Sequence, residues 1–450
     1  MTRIPGDGSG AGAKRIAVVG SGIAGNGAAW ALSVASAHEV TVYEGATRAG
    51  GHAQTVDIDY DGAPISVDIG FIVYNEPNYP NLTRLLERLR VETQVADMSF
   101  SVSRFDETRG IELAWTSRAA AVLGGILPPG ARIPLPSPVH LRVARDILRF
   151  NRRGTADLEA GRLEGLTLGD YLARERYSQR FREDYVVAMG SAIWSVPPGD
   201  ILAFPAATFL AFFANHRLLR MDRPTWRTVS GGSRAYVRRL TAPFADRMRL
   251  GAPVTRVSRE PQGVRVATAD GGSTLYDDVV LACHGDQALA LLADPTPAER
   301  AMLGAIRYRD NAVWLHRDES LMPPGRAGWA AWNVLKRDRD EVCVTYWMNA
   351  LQGIDPARPL FVSLNPPRPP REGSVFARTD YAHPQFDRAA IAAQAALAGL
   401  QGRDRIWFCG AWTKYGFHED GLHSGLAVAE ALGAAAPWRV RPRAFGDAAA

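Results

Sequence analysis

The feature that most constrains the fold is a glycine-rich turn near the amino terminus. An apolar stretch, Ile16 to Val19, is followed by Gly20, Gly22 and Gly25 in the spacing GxGxxG. Gly20 permits a tight turn, Gly22 lets a pyrophosphate approach the backbone, and Gly25 allows a helix to pack closely on the strand. The pattern therefore predicts a strand, a turn that holds the phosphates of a dinucleotide, and a helix.

The residues that follow the turn support this interpretation. A helix is expected to begin around Ala28, and the free N–H groups at its amino end favour phosphate. The second strand, "HEVTVYE", ends in Glu44, whose carboxylate can accept hydrogen bonds from both ribose hydroxyls. The dinucleotide contacts predicted from this segment are Gly20, Gly22, Ile23, Ala24, Gly25, Glu44 and Gly45.

A second pair of glycines decides between dinucleotides. In "EGATRAGGHAQT", residues 44–55, Arg48 offers a charge for a phosphate, and Gly50 and Gly51 let the backbone pass close to a flat or bulky group. A nicotinamide site has no need for this second glycine pair. The sequence therefore predicts FAD.

These motifs resemble those of the flavin-containing amine oxidase and phytoene desaturase superfamily. "RAGGHAQT" is similar to its R-x-G-G-x-x-x-T element, and "SVDIGF", residues 66–71, is similar to the element that follows. The resemblance implies that FAD is contacted by Arg48, Gly50, Gly51, His52, Gly70 and Phe71.

Two later segments resemble the remaining flavin elements of that superfamily. Residues 249–284 are similar to its V-x-x-I segment, in which Val254 would lend its backbone to the adenine. Residues 405–432 are similar to its terminal signature, with a helix from about Leu422. Family members often have an acid directly after the glycine of this strand, where Ala411 stands here, and Glu419 or Asp420 is the expected substitute. The contacts implied are Gly410, Asp420, Gly421 and Leu422.

The expected fold class is α/β, a Rossmann-type, amine oxidase-like FAD-binding domain with an inserted helical plus mixed-sheet substrate domain. The FAD-binding domain comprises residues 14–80, 228–295 and 400–436, and the substrate domain comprises 81–227 and 296–399. Residues 1–13 are expected to be a disordered tail, and 437–450 a second tail.

The substrate segments contain many aromatic residues. A first set is either core or one wall of an apolar tunnel: Phe204, Phe209, Phe212 and Phe213. A second set is either core or a frame for the flavin: Trp329, Trp332, Tyr346 and Trp347. Both interpretations are open for each set.

An arginine-rich segment, residues 139–153, predicts an amphipathic helix after the proline-rich stretch 127–138. Its apolar face comprises Val139, Val143, Ile147 and Phe150. Its basic side comprises Arg142, Arg145, Arg149, Arg152 and Arg153. Such a helix is either a solvated surface helix or a contact with an anionic membrane surface.

Composition narrows the remaining function classes. The net charge of +5 comes from scattered arginines, which does not indicate nucleic-acid binding. Three isolated cysteines, Cys283, Cys343 and Cys409, indicate buried inert thiols in a reducing cytosol. The spacing of His418, Asp420 and His423 fits no tetrahedral metal site, so no metal is expected.

The prediction of catalytic residues depends on one lysine that amine oxidases of this superfamily commonly have. Amine oxidases of the superfamily commonly place a lysine beside flavin N5, and the resemblance puts Asn311 at the equivalent position. That difference argues against amine oxidation. The polar contacts expected near the flavin ring are Asn311, Tyr346, Lys414 and His418.

"RDNAVWLHRDESLMP" and "GFHEDGLHSG" resemble a subgroup of NAD/FAD-binding oxidoreductases associated with cyclopropane fatty acid synthases. The resemblance implies redox modification of an unsaturated, cyclopropane or methyl-branched fatty acyl chain. It also implies a lipid methyltransferase as a candidate partner. The isolated cysteines indicate a cytoplasmic protein, and the basic helix at 139–153 allows a peripheral position at the inner face of the membrane. Two alternatives stay open, an amine oxidase or carotenoid-type desaturase and a flavin-binding module without turnover.

Overall fold

The computed structural model describes residues 12–106, 110–117, 138–194, 196–219, 224–337 and 341–440. In chain order the strands are β1 (Arg15–Val19), β2 (Glu39–Tyr43), β3 (Thr55–Tyr60), β4 (Ala63–Asp68), β5 (Tyr74–Asn75), β6 (Thr93–Val95), β7 (Phe100–Asp106), β8 (Gly110–Thr116), β9 (Trp226–Val229), β10 (Met248–Arg249), β11 (Val254–Glu260), β12 (Gly263–Thr268), β13 (Ser273–Tyr276), β14 (Asp278–Leu281), β15 (Arg307–His316), β16 (Trp332–Arg337), β17 (Glu341–Trp347), β18 (Phe361–Leu364), β19 (Val375–Gln385) and β20 (Ile406–Phe408).

The α-helices among these residues are α1 (Ile23–Ala35), α2 (Pro80–Arg88), α3 (Pro138–Glu159), α4 (Leu168–Arg174), α5 (Gln179–Phe181), α6 (Ala188–Trp194), α7 (Pro198–Ala203), α8 (Ala206–Asn215), α9 (Arg234–Thr241), α10 (Gly285–Leu291), α11 (Pro297–Gly304), α12 (Met348–Gln352), α13 (Arg388–Ala396) and α14 (His418–Ala431). A single wide π-helical stretch, Arg182–Val187, joins α5 to α6.

A parallel sheet of the order β10-β2-β1-β14-β20 forms the first layer. The apolar residues of β1 and β14 are buried because helices α1 and α14 cover one face of the sheet, and the strands β11 to β13 with helices α10 and α11 cover the other. All three sequence segments predicted to build the FAD-binding domain contribute strands to this sheet. The Rossmann-type α/β fold class is therefore confirmed.

Both helices that flank the dinucleotide turn begin earlier than expected. Helix α1 begins at Ile23 rather than near Ala28, so Gly25 lies in its first turn. Helix α14 begins at His418 rather than near Leu422. The two helices pack on each other, and a Cβ at Gly425 would overlap the carbonyl of Ala24. Glycines weaken the helical signal in the sequence, yet this packing requires them.

A seven-stranded sheet of the order β19-β15-β18-β17-β16-β7-β8 forms the second body of the molecule. Strand β7 pairs in parallel with β16, which joins the segments 81–227 and 296–399 in one sheet. Apolar residues at helical spacing predict that 81–227 is largely helical, and this prediction is wrong for strands β6, β7 and β8. Strand β7 pairs with β16, more than 200 residues further along the chain, and β6 pairs with β9, so these strands depend on distant partners that local periodicity does not indicate.

Helix α3 uses its predicted apolar face for packing within the protein. Phe150 is completely buried, and Ile147 packs against the same core. Leu141 and Leu148 instead lie on the exposed side, at 63% and 60% exposure, next to the exposed Arg145. The side chain of Val139 and the proline-rich stretch up to residue 137 lie outside the described residues.

The predicted tails are described only in part. Residues 1–11 and 441–450 lie outside the described residues. Residues 437–440 pack on the protein, because the Trp438 ring lies 5.7 Å from that of Trp30 and Val440 exchanges hydrogen bonds with Asn81. Within the described ranges, no helix has the length and apolar character needed to cross a membrane.

Candidate active site

A cavity of about 730 Å³ lies between the parallel sheet and the seven-stranded sheet. One end is formed by the loops that follow β1, β2, β14 and β20, at the carboxyl edge of the parallel sheet, where α/β folds bind ligands. The other end lies among aromatic side chains of α6, α8 and the second sheet. Its volume falls within the range of about 300–1,000 Å³ typical of small-molecule sites.

The first end of the cavity has the features that a dinucleotide needs. Gly22 caps α1 without any side-chain hydrogen bond, and a Cβ there would meet no protein atom within 4 Å. The Glu44 carboxylate accepts hydrogen bonds from the Ser21 amide (2.9 Å) and hydroxyl (2.6 Å). A free helix amino terminus beside an oriented carboxylate fits the pyrophosphate and ribose of FAD.

The second glycine pair holds the dinucleotide turn in place. Gly50 and Gly51 both have positive φ angles, +115° and +56°. The Gly50 amide donates to the Ser21 carbonyl at 2.9 Å, and a Cβ at Gly51 would lie 3.0 Å from the Gly22 Cα. The close approach that requires Gly51 is therefore to the backbone of the first turn, whereas a Cβ at Gly50 would lie 2.7 Å from the Ala53 carbonyl oxygen.

Ten of the residues predicted to contact the cofactor line the cavity: Gly20, Gly22, Ile23, Ala24, Glu44, Gly51, His52, Gly70, Phe71 and Gly410. The other predicted contacts, all of them described residues, lie outside the lining: Gly25, Gly45, Arg48, Gly50, Val254, Asp420, Gly421 and Leu422. Gly421 and Leu422 lie where α14 packs on α1, and Gly25 packs α1 against the turn at Gly20.

Arg48 and the acids of α14 have partners within the protein. The Arg48 guanidinium donates to the Gly51 carbonyl and to Gln54. Asp420 accepts the Phe417 amide at the start of its own helix, at 3.0 Å. Glu419 accepts the Asn81 and Leu82 amides, both at 3.0 Å, so it caps α2. The two acids thus serve helix ends rather than the position next to Ala411.

Three imidazoles meet in the middle of the cavity wall. The ring of His52 stacks on Tyr381 at 4.5 Å and lies 5.6 Å from His383 and 6.2 Å from His284. Burial and the neighbouring imidazoles lower the pKa of His383 to about 4 and that of His52 well below its usual value. The pKa of His284 is lowered as well, chiefly by burial. The cluster is therefore uncharged at neutral pH.

The four residues expected near the flavin ring separate into two groups. Tyr346 and His418 line the cavity, and the His418 ring stacks on Phe71 at 3.9 Å while its Nε2 is hydrogen-bonded to the Tyr236 hydroxyl (2.6 Å). Burial lowers the pKa of His418 to about 3. Lys414 and Asn311, in contrast, are not among the residues that line the cavity. Asn311 is completely buried and contacts His383 from behind.

The far end of the cavity is apolar. Phe212 lines it from α8, whereas Phe204, Phe209 and Phe213 belong to the core. From the second sheet, Trp332 and Tyr346 line it with their rings edge to face at 4.8 Å. Trp329 and Trp347 pack away from it, with Phe361.

Cys283 differs from the expectation of three buried thiols. Cys343 and Cys409 are buried, but Cys283 is half-buried and lines the cavity. Burial raises the pKa of Cys283 to about 12, so its sulfur stays a protonated thiol.

Comparison with known proteins identifies the fold family. The family model for flavin-containing amine oxidoreductases matches residues 23–314, about two thirds of the chain. The chain belongs to this family. The predicted cofactor FAD and the class of FAD-dependent oxidoreductase are thereby confirmed.

The individual relatives have low sequence identity to this chain. A flavin-containing monoamine oxidase of Mycobacterium tuberculosis is 26% identical over 288 residues, 62% of this chain and 59% of the relative. The L-amino-acid oxidase of Bungarus fasciatus is 22% identical over 318 residues, 66% of this chain and 56% of the relative. The chain therefore spans less than two thirds of the length of these curated relatives.

Solved structures show the same fold at low identity. A putrescine oxidase bound to putrescine aligns with a TM-score of 0.65 at 16% identity, covering 93% of this chain and 98% of that one. A fatty acid isomerase from P. acnes that produces CLA aligns with a TM-score of 0.64, also at 16% identity and with the same coverage. At this identity the two likenesses show the oxidoreductase fold alone.

His284, Tyr381 and His383 were missed by the reasoning from sequence. His284 ends the segment 249–284, directly after the strand and at the edge where ligands bind, which is a signal that could have identified it. His383 and Tyr381 lie in β19, and no local motif marks either residue.

Proposed function

We propose that the protein is an FAD-dependent oxidoreductase that oxidises or otherwise redox-modifies an uncharged, apolar lipid chain. The candidate substrates are unsaturated, cyclopropane or methyl-branched fatty acyl chains. FAD, when bound, supplies a hydride acceptor. The protein's own residues hold the cofactor, exclude water and orient the chain.

The observation that carries this proposal is the charge of the cavity. Among the described residues that line it, only Glu44 and Asp97 carry a formal charge. The Glu44 carboxylate is bound by Ser21, and the exposed Asp97 carboxylate accepts the Ser99 amide and hydroxyl, at 2.8 and 2.9 Å. The apolar end therefore offers a buried ammonium group no buried carboxylate, and an unpaired buried charge costs several kcal/mol.

The charge of the lining also distinguishes free fatty acids from esterified lipid chains. The lining contains no arginine or lysine among the described residues, so it offers no partner to the carboxylate of a free fatty acid. An esterified chain, or another uncharged lipid, suits such a surface better. The P. acnes fatty acid isomerase shows that this fold accommodates an enzyme named for a fatty acid.

A carotenoid-type desaturase is the second candidate, because a polyene is also uncharged and apolar. The aromatic lining at Phe212, Trp332 and Tyr346 suits either substrate. Amine oxidation is less favoured because a protonated amine would lose its hydration without gaining a counter-charge.

Contact with an anionic membrane surface would bring such a lipid to the protein. Its support is helix α3, where the exposed Leu141 and Leu148 lie among Arg142, Arg145 and Arg152, all exposed. A cytoplasmic protein peripheral to the membrane is consistent with this face. We expect the double variant Leu141→Ser/Leu148→Ser to lose co-sedimentation with phosphatidylglycerol vesicles, while Leu250→Ser, a change at an exposed leucine elsewhere, retains it.

A lipid methyltransferase is proposed as a partner on the resemblance to cyclopropane synthase-associated flavoproteins alone. Such an enzyme would produce the cyclopropane or methyl-branched chain that this protein then modifies. Co-purification of the two proteins from cells that express both would support the pairing, and independent elution at high protein concentration would contradict it.

The substrate proposal is tested by anaerobic titration of the FAD-loaded protein. Phosphatidylglycerol carrying unsaturated or cyclopropane chains is added to one sample and a panel of primary amines to another, and the oxidised flavin band is followed. Bleaching by the lipid alone supports the proposal, and mass spectrometry then identifies the product. Bleaching by amines alone refutes it. If neither bleaches the band, the flavin-binding module without turnover becomes the better account.

A further inference from the structure

The cavity wall contains a chain of hydrogen bonds that leads from the backbone to one imidazole. The Ala312 amide donates to Asn365 Oδ1 at 3.0 Å, which fixes the orientation of the Asn365 amide. Asn365 Nδ2 then donates to Asn311 Oδ1 at 2.7 Å. Asn311 Nδ2 therefore faces the other way, towards the Arg309 carbonyl (3.0 Å), Nδ1 of His383 (3.1 Å) and, at the longer distance of 3.4 Å, the Tyr381 carbonyl.

This chain has only one consistent arrangement of protons. If Asn311 were rotated, its oxygen would face the Arg309 carbonyl and its amino group would face that of Asn365, so both contacts would be lost. An amide N–H can be met only by an unprotonated ring nitrogen. Nδ1 of His383 is therefore an acceptor, and in the neutral ring the proton lies on Nε2.

His383 is one of the residues that line the cavity, and Asn311 lies behind it, completely buried. Burial and the neighbouring His284 lower the pKa of His383 to about 4, so the ring is neutral and has a single N–H at physiological pH. Other possible donors also line the cavity, among them the indole nitrogens of Trp194 and Trp332, but the Asn311 amide at Nδ1 directs the single N–H of His383 to Nε2.

We propose that His383 is the residue that donates a hydrogen bond from Nε2 to the molecule bound in the cavity, and that Asn311 and Asn365 are positioning residues that fix this tautomer. The group that it meets is a hydrogen-bond acceptor, either on the flavin or on an oxygen-bearing lipid such as an acyl ester. The proposal deepens the proposed function, but the tautomer itself does not depend on which substrate is turned over.

The tautomer can be measured directly in the FAD-loaded protein. Labelling with ¹⁵N-histidine and long-range ¹H–¹⁵N spectra distinguish protonated from unprotonated ring nitrogens, and the His383→Gln variant assigns the signal. Two other histidines serve as references within the same sample. His316 Nδ1 accepts the Asp318 amide (3.1 Å) and must carry its proton on Nε2, whereas His216 Nδ1 faces the Phe212 carbonyl (3.0 Å) and must carry its proton on Nδ1.

We expect the signal of His383 to match that of His316, with the Nε2–H form favoured by at least about tenfold, the ratio that one hydrogen bond supports. Asn311→Asp replaces the donor by an acceptor and should reverse the ratio. Asn365→Asp, at an exposed position that carries less risk to folding, should lower the ratio without reversing it. A His383 signal that matches His216, or a ratio unchanged in both variants, overturns the proposal.

Two further samples identify the source of the acceptor. Removal of FAD should shift the His383 Nε2 signal if the flavin is the partner, and addition of methyl oleate should shift it if the lipid ester is. Either shift supports the donor role. No shift in either sample refutes that role, even if the tautomer is as expected. If lipid does not bleach the flavin band but removal of FAD shifts the His383 Nε2 signal, the proposed lipid substrate is refuted. The donor role of His383 is then still supported.

Discussion

Gly22 and Gly25 lie three residues apart in one turn, but the space around their Cα atoms differs. A Cβ at Gly25 would overlap the Gly20 carbonyl oxygen and lie 3.0 Å from the Ala282 Cβ. A Cβ at Gly22 would meet no protein atom and would occupy the space at the free end of α1. Gly25→Ala should therefore damage the fold, and Gly22→Ala should damage cofactor binding.

The size of each effect follows from the contacts. Overpacking against backbone costs about 3 kcal/mol, and alanine's better helix propensity recovers about 1 kcal/mol, so Gly25→Ala should lower the free energy of unfolding by about 2 kcal/mol. For Gly22→Ala, the weaker helix cap and the smaller entropy of the unfolded chain nearly cancel, which leaves about 0.5 kcal/mol or less. A methyl group against the pyrophosphate should cost about 1–3 kcal/mol, or roughly 5- to 150-fold in affinity for FAD.

Urea denaturation with and without excess FAD measures both effects, because a ligand that binds only the folded state raises its stability according to its dissociation constant. Wild-type protein and Gly22→Ala should have the same free energy of unfolding without FAD. With excess FAD, the wild type should be the more stable of the two. Gly25→Ala should be less stable in both conditions. If Gly22→Ala binds FAD with wild-type affinity, the pyrophosphate does not lie over this turn. If Gly25→Ala has the same free energy of unfolding as the wild type, α1 does not pack against the Gly20 carbonyl as closely as inferred.

Three further predictions concern the two ends of the cavity and the buried imidazoles. Glu44→Gln should weaken FAD binding by about tenfold, the worth of about one hydrogen bond to a charged group, in a fluorescence titration; unchanged affinity would contradict the ribose contact. Phe212→Leu should raise the KM for a lipid substrate and leave the flavin spectrum unchanged, and a changed spectrum would place this ring at the flavin instead. Since burial lowers the folded-state pKa values of His216, His383 and His418 to about 4, 4 and 3, the unfolded chain binds more protons below pH 6.5. Stability should therefore fall from pH 6.5 towards pH 4, by about 1.4 kcal/mol per pH unit for each histidine, and urea denaturation of His216→Phe should show a smaller fall.

The strand-turn-helix-strand unit at the nucleotide end could be predicted from the sequence because its requirements are local. Gly20, Gly22 and Glu44 lie in one strand-turn-helix-strand unit, and each has a backbone or charge requirement that few other residues meet. The double glycine was also predicted, although its close neighbour is the turn at Gly22 rather than the cofactor alone.

The apolar end of the cavity was predicted poorly because it is formed by strands that pair over long distances in the sequence. Asn311 was selected by resemblance, but its contact with His383 joins residues 72 positions apart in two strands of one sheet. Strand β7 was missed for the same reason, since it pairs with β16. Hydrophobic patterns indicate which segments are buried, but they do not indicate which segments lie side by side.

The order of strands in the parallel sheet also determines when the cofactor can bind during synthesis. The central strand β1 leaves the ribosome first, but its neighbour β14 ends at residue 281, and β20 and α14 end at residues 408 and 431. Because α14 packs on α1 through Gly425 and Ala24, the wall of the nucleotide turn is incomplete until α14 has emerged. A nascent chain arrested before residue 406 should therefore fail to retain FAD, and the apolar cavity must stay protected from aggregation until then.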